Sequence, residues 1–439
     1  MFTNFLKNTK LFYISFIFVA FLVFFVHYQI AGQAVYGDGI DYYAYLHTLY
    51  FDHNLDFTNE REHIYNHEYN NSHPNFLGNI NKADFLSTGK INNFHPLGMA
   101  ILLFPFYIAA DVLVLLLNLF GFNFLRNGYS DIYQIIVGFG AVLYGGFGLL
   151  LVEKTILNIY KDYKNKASLL TIRLSLLTIL LVSPLFYYLA IDVINSHFAS
   201  FFVSSLFFFS LFKKNKNLFK KYLTLGAILG LATTIRFQDF MLIIPLLIMT
   251  YFERKQWGTI IKLLGASAIT FLIFVSPLIL SWWYLFGNIF KQEYFHGGKI
   301  VLGSLFDIKN GLFGRTPFLL VTLLALPLAF KKLREPLIAL IVYFFFQYLA
   351  VSSYGGWGAA SYGARMYISS LFLFFILCPL LFYYLKLKLG KAATIAIVLF
   401  FIFLNISNIL LFMLFQKEAV GTRGLETTTK IKIEKMLNL

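Results

Sequence analysis

The stretch Pro96-Leu-Gly-Met-Ala-Ile-Leu-Leu-Phe-Pro105-Phe-Tyr-Ile-Ala-Ala-Asp111-Val-Leu-Val-Leu-Leu-Leu-Asn-Leu-Phe120 is apolar enough to enter a bilayer, yet it carries a proline and an aspartate. Whether it crosses sets the orientation of everything after it. Further apolar runs lie near 11–30, 132–152, 168–190, 196–212, 221–235, 240–252, 262–286, 316–330, 337–353, 366–385 and 392–415, many of them near the ~20 residues that a hydrocarbon core requires. Lysine-rich connectors separate them at 154–166, 213–221, 254–262, 331–334 and 386–391, and short basic loops of this kind stay cytoplasmic. All of these connectors fall on that side only if 97–120 returns to the face it left. The stretch therefore reads as a juxtamembrane or re-entrant hairpin, leaving about eleven spans with the N-terminus inside and the C-terminus outside.

Composition agrees with an all-α, polytopic membrane bundle. Of 439 residues 59% are hydrophobic, 19% aromatic and only 13% charged, against about 25% charged in a soluble domain. Fifty-three Phe and 28 Tyr are spread over many blocks. Soluble enzymes, nucleic-acid binders and outer-membrane barrels are excluded. The net charge of +15 resides largely in short loops, where it sets orientation and calls for no nucleic-acid partner. The single cysteine, Cys378, permits no internal disulfide. Lys7 and Lys10 precede a first apolar run too long for a signal peptide, so it reads as an uncleaved first helix. The whole of 1–439 reads as one integral membrane domain, with a long extracytoplasmic loop over 32–131 and a tail, 416–439, too short for a soluble domain. Within the spans almost nothing is ionisable: Arg173 is placed to snorkel to the cytoplasmic face, and no acid is expected near the middle of the bilayer. That counts against an ion-coupled transporter. The Gly226–Gly230 pair and the glycines over 138–148 read as close helix packing.

The polar residues concentrate in the segments that this topology puts outside. After the first span comes Tyr36-Gly-Asp38-Gly-Ile-Asp41-Tyr42-Tyr43-Ala-Tyr45-Leu, then Asp52-His-Asn54-Leu-Asp56-Phe-Thr-Asn59-Glu60. A carboxylate between Gly37 and Gly39, just beyond a membrane helix, sits at the lipid–water boundary with backbone freedom for a tight turn, which suits Asp38 to act as a general base. Asp41 is its nearest substitute. Residues 41–51 read as a short amphipathic helix in the interface, with Tyr42, Tyr45 and Leu49 on one face.

Taken with this loop, four later segments carry a resemblance. These are Phe94-His95-Pro96-Leu97-Gly98 with Phe104-Pro-Phe-Tyr107; Gly230-Leu-Ala-Thr-Thr-Ile-Arg236-Phe-Gln238; Asn310-Gly-Leu-Phe-Gly-Arg315-Thr-Pro317; and Gly355-Gly-Trp357-Gly358 through Ser361-Tyr-Gly-Ala-Arg365. In order and in register they resemble motifs of the GT-C superfamily of polyprenyl-phosphate-sugar-dependent glycosyltransferases, relatives of protein O-mannosyltransferases and lipid A aminoarabinose transferase. The chain departs from that pattern at Gly39, where members usually carry Glu or another residue, and at Arg315, where an aromatic is common.

The resemblance implies a GT-C-like fold and transfer of a sugar from a polyprenyl-phosphate donor to a lipid, glycan or protein acceptor, at the extracytoplasmic face of a bacterial inner membrane. Such a donor keeps its phosphate at the surface, so extracytoplasmic cations are wanted, and Arg365, Arg236, Arg315, Lys309 and Lys299 are the candidates. Guanidinium binds phosphate bidentately. Asp38, seconded by Asp41, would take the acceptor proton, and single displacement would invert the sugar. Tyr42, Tyr43, His95, Trp357, Asn59 and Glu60 are candidate substrate contacts. His63, His67 and His73 fit no metal motif, so no metal ligands are assigned, and a divalent cation is the one cofactor left open. His296, Trp282 and Trp283 read as interfacial. The competing function is a lipid-linked glycan transporter or flippase, which would need buried charges along a path through the bundle.

Overall fold

The computed structural model describes residues 8–65, 85–162, 167–253, 256–289, 300–358 and 361–415. Among them the chain is helical without strands, apart from one isolated bridge between Phe85 and Ile91. Helices satisfy every backbone polar group within the segment, which a lipid-exposed chain requires. In order, the first half contains α1 (Thr9–Ala31), α2 (Asp38–His47) with a π-helical turn (Thr48–Asp52), α3 (Thr58–Tyr65), α4 (Gly98–Leu119), α5 (Asp131–Asp162), α6 (Leu169–Val182), α7 (Leu185–Ala190) and α8 (Ser196–Phe212). The second half contains α9 (Leu218–Ile235), α10 (Ile243–Glu253), α11 (Trp257–Phe286), four short helices α12 (Gly303–Phe306), α13 (Leu312–Arg315), α14 (Phe318–Thr322) and α15 (Leu326–Lys332), then α16 (Arg334–Ser353) and α17 (Phe372–Phe415). Seven of these, α1, α4, α5, α9, α11, α16 and α17, are long and apolar enough to cross a membrane, and α6 and α8 are shorter apolar helices. The chain is an all-α polytopic membrane bundle.

Small residues bring the helices together. A side chain at Gly226 of α9 would overlap the Ser267 carbonyl of α11, and one at Gly138 of α5 would overlap the Phe24 ring of α1. Association in a bilayer rests on such close approach, because lipid tails are as apolar as the side chains. The α9–α11 seam adds hydrogen bonds from Ser267 to the Tyr222 carbonyl (2.8 Å) and from Thr270 to the Leu223 carbonyl (2.7 Å). α17 breaks at Gly390, whose φ of 81° is open to glycine; its second leg returns so that Asn405 meets Tyr362.

The basic connectors gather at one end. Lys214 pairs with Asp162 at 2.9 Å, Lys221 approaches Glu253 at 3.5 Å, and Lys332 lies over the Tyr383 ring. At the opposite end α4 corrects the sequence reading. Gly98–Leu119 is one continuous helix through Pro105, without the turn of a re-entrant hairpin. Gly98 abuts Thr234 at the end of α9, the Tyr144 hydroxyl reaches the Leu102 carbonyl (3.1 Å), and Tyr133 reaches Asp111. α4 therefore runs antiparallel to the first half of α5, and neither of its ends approaches the basic connectors. Two further expectations change. α2 is no half-exposed interfacial helix: Tyr42, Tyr43, Ala44, Tyr45 and Leu46 are all buried. Arg173 does not snorkel either. It is fully buried, its Nε 2.6 Å and Nη2 3.0 Å from the two carboxylate oxygens of Glu153, with Tyr13 bonded to the same carboxylate. Breaking such a buried pair by removing one partner costs about 3–5 kcal/mol.

Candidate active site

Gly37 turns the chain with a positive φ (54°) after α1, so that α2 begins with Asp38 at its first position. Asp38 and Asp41 lie one helical turn apart and share a face. Gly39 sits against the backbone carbonyl of Ile194, where a Cβ would come within 2.4 Å. That contact explains the departure at this position: a side chain beside Asp38 has no room.

Arg365 Nη1 lies 2.7 Å from Asp38 Oδ2. On the other side His95 Nε2 is 3.9 Å from the same oxygen, while His95 Nδ1 donates to Asp41 Oδ2 at 2.8 Å. Arg61 grips the second Asp41 oxygen at 2.6 Å, and the His95 ring packs on Tyr42 with centroids 4.8 Å apart. Asp41 thus fixes a proton on Nδ1 and turns Nε2 toward Asp38. Burial raises the Asp38 carboxyl, but the charges of Arg365 and His95 more than offset it and hold it below the ordinary carboxylate range. Asp41 is held low in the same way, burial being outweighed by Arg61 and His95. Asp38 is consequently ionised at neutral pH, and its side chain is 36% exposed, so an acceptor can reach it.

A second cation lines the same cavity. α9 ends at Arg236, whose Nη1 donates to His197 Nδ1 (2.7 Å) and Ser196 Oγ (3.2 Å), and whose Nη2 donates to Met366 Sδ (2.8 Å) and Gln238 Oε1 (3.4 Å). These hydrogen-bond partners are neutral. Asp38, Tyr42, His95, Arg236, Gln238, Tyr354 and Arg365 line one cavity of about 440 Å³. A carboxylate and two guanidinium groups around one such space can hold a phosphate while leaving a base beside it.

Of the residues singled out from the sequence, Asp38, Tyr42, His95, Arg236 and Arg365 come together here, and Asp41 stands directly behind His95. The others do not. Arg315 is buried, its guanidinium over the Tyr362 ring and its Nη2 on the Asn408 carbonyl (3.1 Å), facing the second leg of α17. The Tyr43 hydroxyl donates to the Gly128 carbonyl (2.8 Å), Asn59 bonds Asp52 (2.9 Å), and Glu60 is buried against His47 (2.9 Å). Trp357 packs beside Gly303, and Lys309 is exposed beyond Asp307. Lys299, His296, His67 and His73, together with the His63 side chain and the 416–439 tail, lie outside the described residues.

Two groups escaped the sequence reading. His197, in the first turn of α8, is the closest partner of Arg236. Asp192, in the turn before α8, is raised by burial to about 7 and feels the charges of both Arg365 and Asp38. The only local signal was that Asp192 lies in a short connector on the expected outer side and His197 at the helix start that follows it.

One of three comparisons with known proteins found a match. Residues 132–283 match the family model described as dolichyl-phosphate-mannose-protein mannosyltransferase. The match bears out the GT-C resemblance and supports a polyprenyl-phosphate-sugar-dependent glycosyltransferase in general. It covers α5 through most of α11, and so includes Asp192, His197 and Arg236 but neither Asp38 nor Arg365. No curated protein and no solved structure matches the chain.

Proposed function

We propose that the chain moves a sugar from a polyprenyl-phosphate carrier to an acceptor hydroxyl at the extracytoplasmic face of a bacterial inner membrane, in one inverting displacement. The observation that carries this reading is the pairing, around one cavity, of an ionised, reachable Asp38 with Arg365 and Arg236. Arg236, bonded only to neutral groups among its hydrogen-bond partners, takes the donor phosphate. As the glycosidic bond breaks, negative charge accumulates on that phosphate, and a preorganised guanidinium stabilises the transition state more than the ground state. Arg365 turns from Asp38 toward the phosphate, freeing the carboxylate to accept the proton of the attacking hydroxyl. The carbon is attacked opposite the departing phosphate, hence inversion. The basic connectors at the far end of the bundle support the assignment of face. If the short and broken helices (α6–α7, α8, α10, α13–α15 and the two legs of α17) cross together with α1, α5, α9, α11 and α16, eleven spans result.

The test is mass spectrometry of envelope glycans and lipids from a deletion strain, complemented with wild type, Asp38→Asn or Arg365→Ala. A glycan or lipid should lose one sugar, its polyprenyl-phosphate precursor should accumulate, and wild type alone should restore it. Unchanged glycans and carrier pools in the deletion strain would reject the proposal.

A further inference from the structure

Away from the cavity, His47, Asp52 and Glu60 form the one cluster of three metal-ligating side chains found among the described residues, with ligand atoms all within 4.8 Å of one another. His47 closes α2, Asp52 ends the π-helical turn, and Glu60 lies in the first turn of α3. In an α-helix residues five apart point to different sides; the wider π turn brings Asp52 back beside His47. His47 Nδ1 is 2.9 Å from Glu60 Oε1 and 3.3 Å from Asp52 Oδ2. Donors sharing a tetrahedral ion with bonds of about 2.0–2.2 Å are separated by about 3.3 Å, so these spacings suit a common cation.

The fold holds the ligands in place independently. The His47 ring is stacked between Tyr129 (centroids 4.3 Å, planes 16° apart) and Phe51 (5.2 Å, 27°). Glu60 is 2% exposed, and its Oε2 is buried without a hydrogen-bond partner. A buried carboxylate oxygen left unbonded is costly, and a cation is a ligand that satisfies it. The Asp52 side chain, 24% exposed, leaves a way in.

We propose that His47, Asp52 and Glu60 bind a divalent first-row transition ion, one imidazole and two carboxylates being a donor set suited to Zn²⁺ or Mn²⁺. The ion clamps the end of α2 to α3, where the next residue, Arg61, holds Asp41 and through it His95. The site is thereby a positioning device for the cavity.

Its test does not depend on the transfer reaction. The full chain, purified in detergent, tag-free and stripped with EDTA, is equilibrated with Zn²⁺ alone and, separately, with Mn²⁺ alone; bound metal and melting temperature are then measured. Wild type should retain about one equivalent of one of these ions and melt higher with it. His47→Ala and Glu60→Gln should lose both effects, while a His67→Ala/His73→Ala variant keeps them. If the buried substitutions prevent folding, Asp52→Asn on the partly exposed turn should weaken binding at least about tenfold. No bound metal in wild type, equal binding by His47→Ala, Glu60→Gln or Asp52→Asn, or loss in the His67→Ala/His73→Ala variant would overturn the assignment.

Discussion

Arg365 and Asp38 face each other at 2.7 Å, so the cation suited to a departing phosphate and the carboxylate suited to an attacking hydroxyl already share one edge of the cavity. In the proposed reaction a donor phosphate would compete for the guanidinium and release the carboxylate, coupling donor binding to exposure of the base. On the other side, His95 bridges between Asp38 and Asp41, and this arrangement separates the roles of the two acids.

Replacing Asp38 by Asn removes the proton acceptor at nearly constant shape. Turnover should fall about 10²–10⁴-fold, the usual range for lost general-base catalysis. Asp41→Asn loosens His95 without touching the reacting groups and should cost less. Near-normal transfer by Asp38→Asn, with the larger loss in Asp41→Asn, would reverse the assignment.

Arg365 has two measurable effects. If it clamps phosphate, Arg365→Ala should lose about ten- to a hundredfold in kcat/KM, the equivalent of a charged hydrogen bond of roughly 1.5–3 kcal/mol, and Lys should restore little because a point charge lacks the guanidinium fork. It also holds the Asp38 carboxyl down. Activity needs that carboxyl ionised and so is lost as pH falls through its lowered value. Without Arg365 the value rises, and the acid limb of the kcat/KM profile should move to higher pH. An unmoved limb in Arg365→Ala would show that Asp38 does not govern it.

Asp192 ties stability to pH in the opposite direction. Burial raises its carboxyl to about 7, so the folded chain binds a proton more tightly there than the unfolded one, whose carboxyl titrates near 3.9. This contribution is fully present below about pH 4 and is lost as pH rises through about 7. Asp192→Asn, which carries no charge at any pH, should therefore melt higher than wild type at pH 8, and the gap should close toward pH 5. A difference independent of pH would mean that Asp192 is not buried as a titrating group.

Topology can be read by labelling. Cys378 is fully buried, so cysteines introduced on the surface report with little background. Positions Asn59 and Lys309 should react with an impermeant thiol reagent in intact cells, whereas Lys216 should not. Labelling at 216 from outside would place the cavity on the cytoplasmic face.

Helix-forming apolar runs and loop charge are properties of contiguous residues, and they were legible in the sequence. The bundle, the basic end and the concentration of polar groups at the other end all follow from them. So did Asp38, because its flanking glycines mark a tight turn next to a span. Arg236 and Arg365 were legible as cations standing where a basic residue is not favoured. What a linear reading misjudged is direction. Arg315 sits in a motif as suggestive as that of Arg365, but the short helix α13 turns it onto Tyr362 and the second leg of α17. Tyr43 follows Tyr42 in sequence, yet successive helical residues point about 100° apart, so one lines the cavity and the other is bonded to Gly128.

The sequence by itself determined the class of the protein, an all-α membrane bundle, since hydropathy acts locally and adds along the chain. Only the tertiary structure decided which side chains meet. The ion pair of Asp38 with Arg365 joins α2 to the segment before α17, and the burial of Arg173 depends on Glu153 of the neighbouring helix α5. Asp192 is raised by its burial in the fold, with the charge of Arg365 opposing and that of Asp38 adding to the shift. Each of these depends on distances between separate elements of the fold, and electrostatic interaction inside a low-dielectric bundle is governed by those distances.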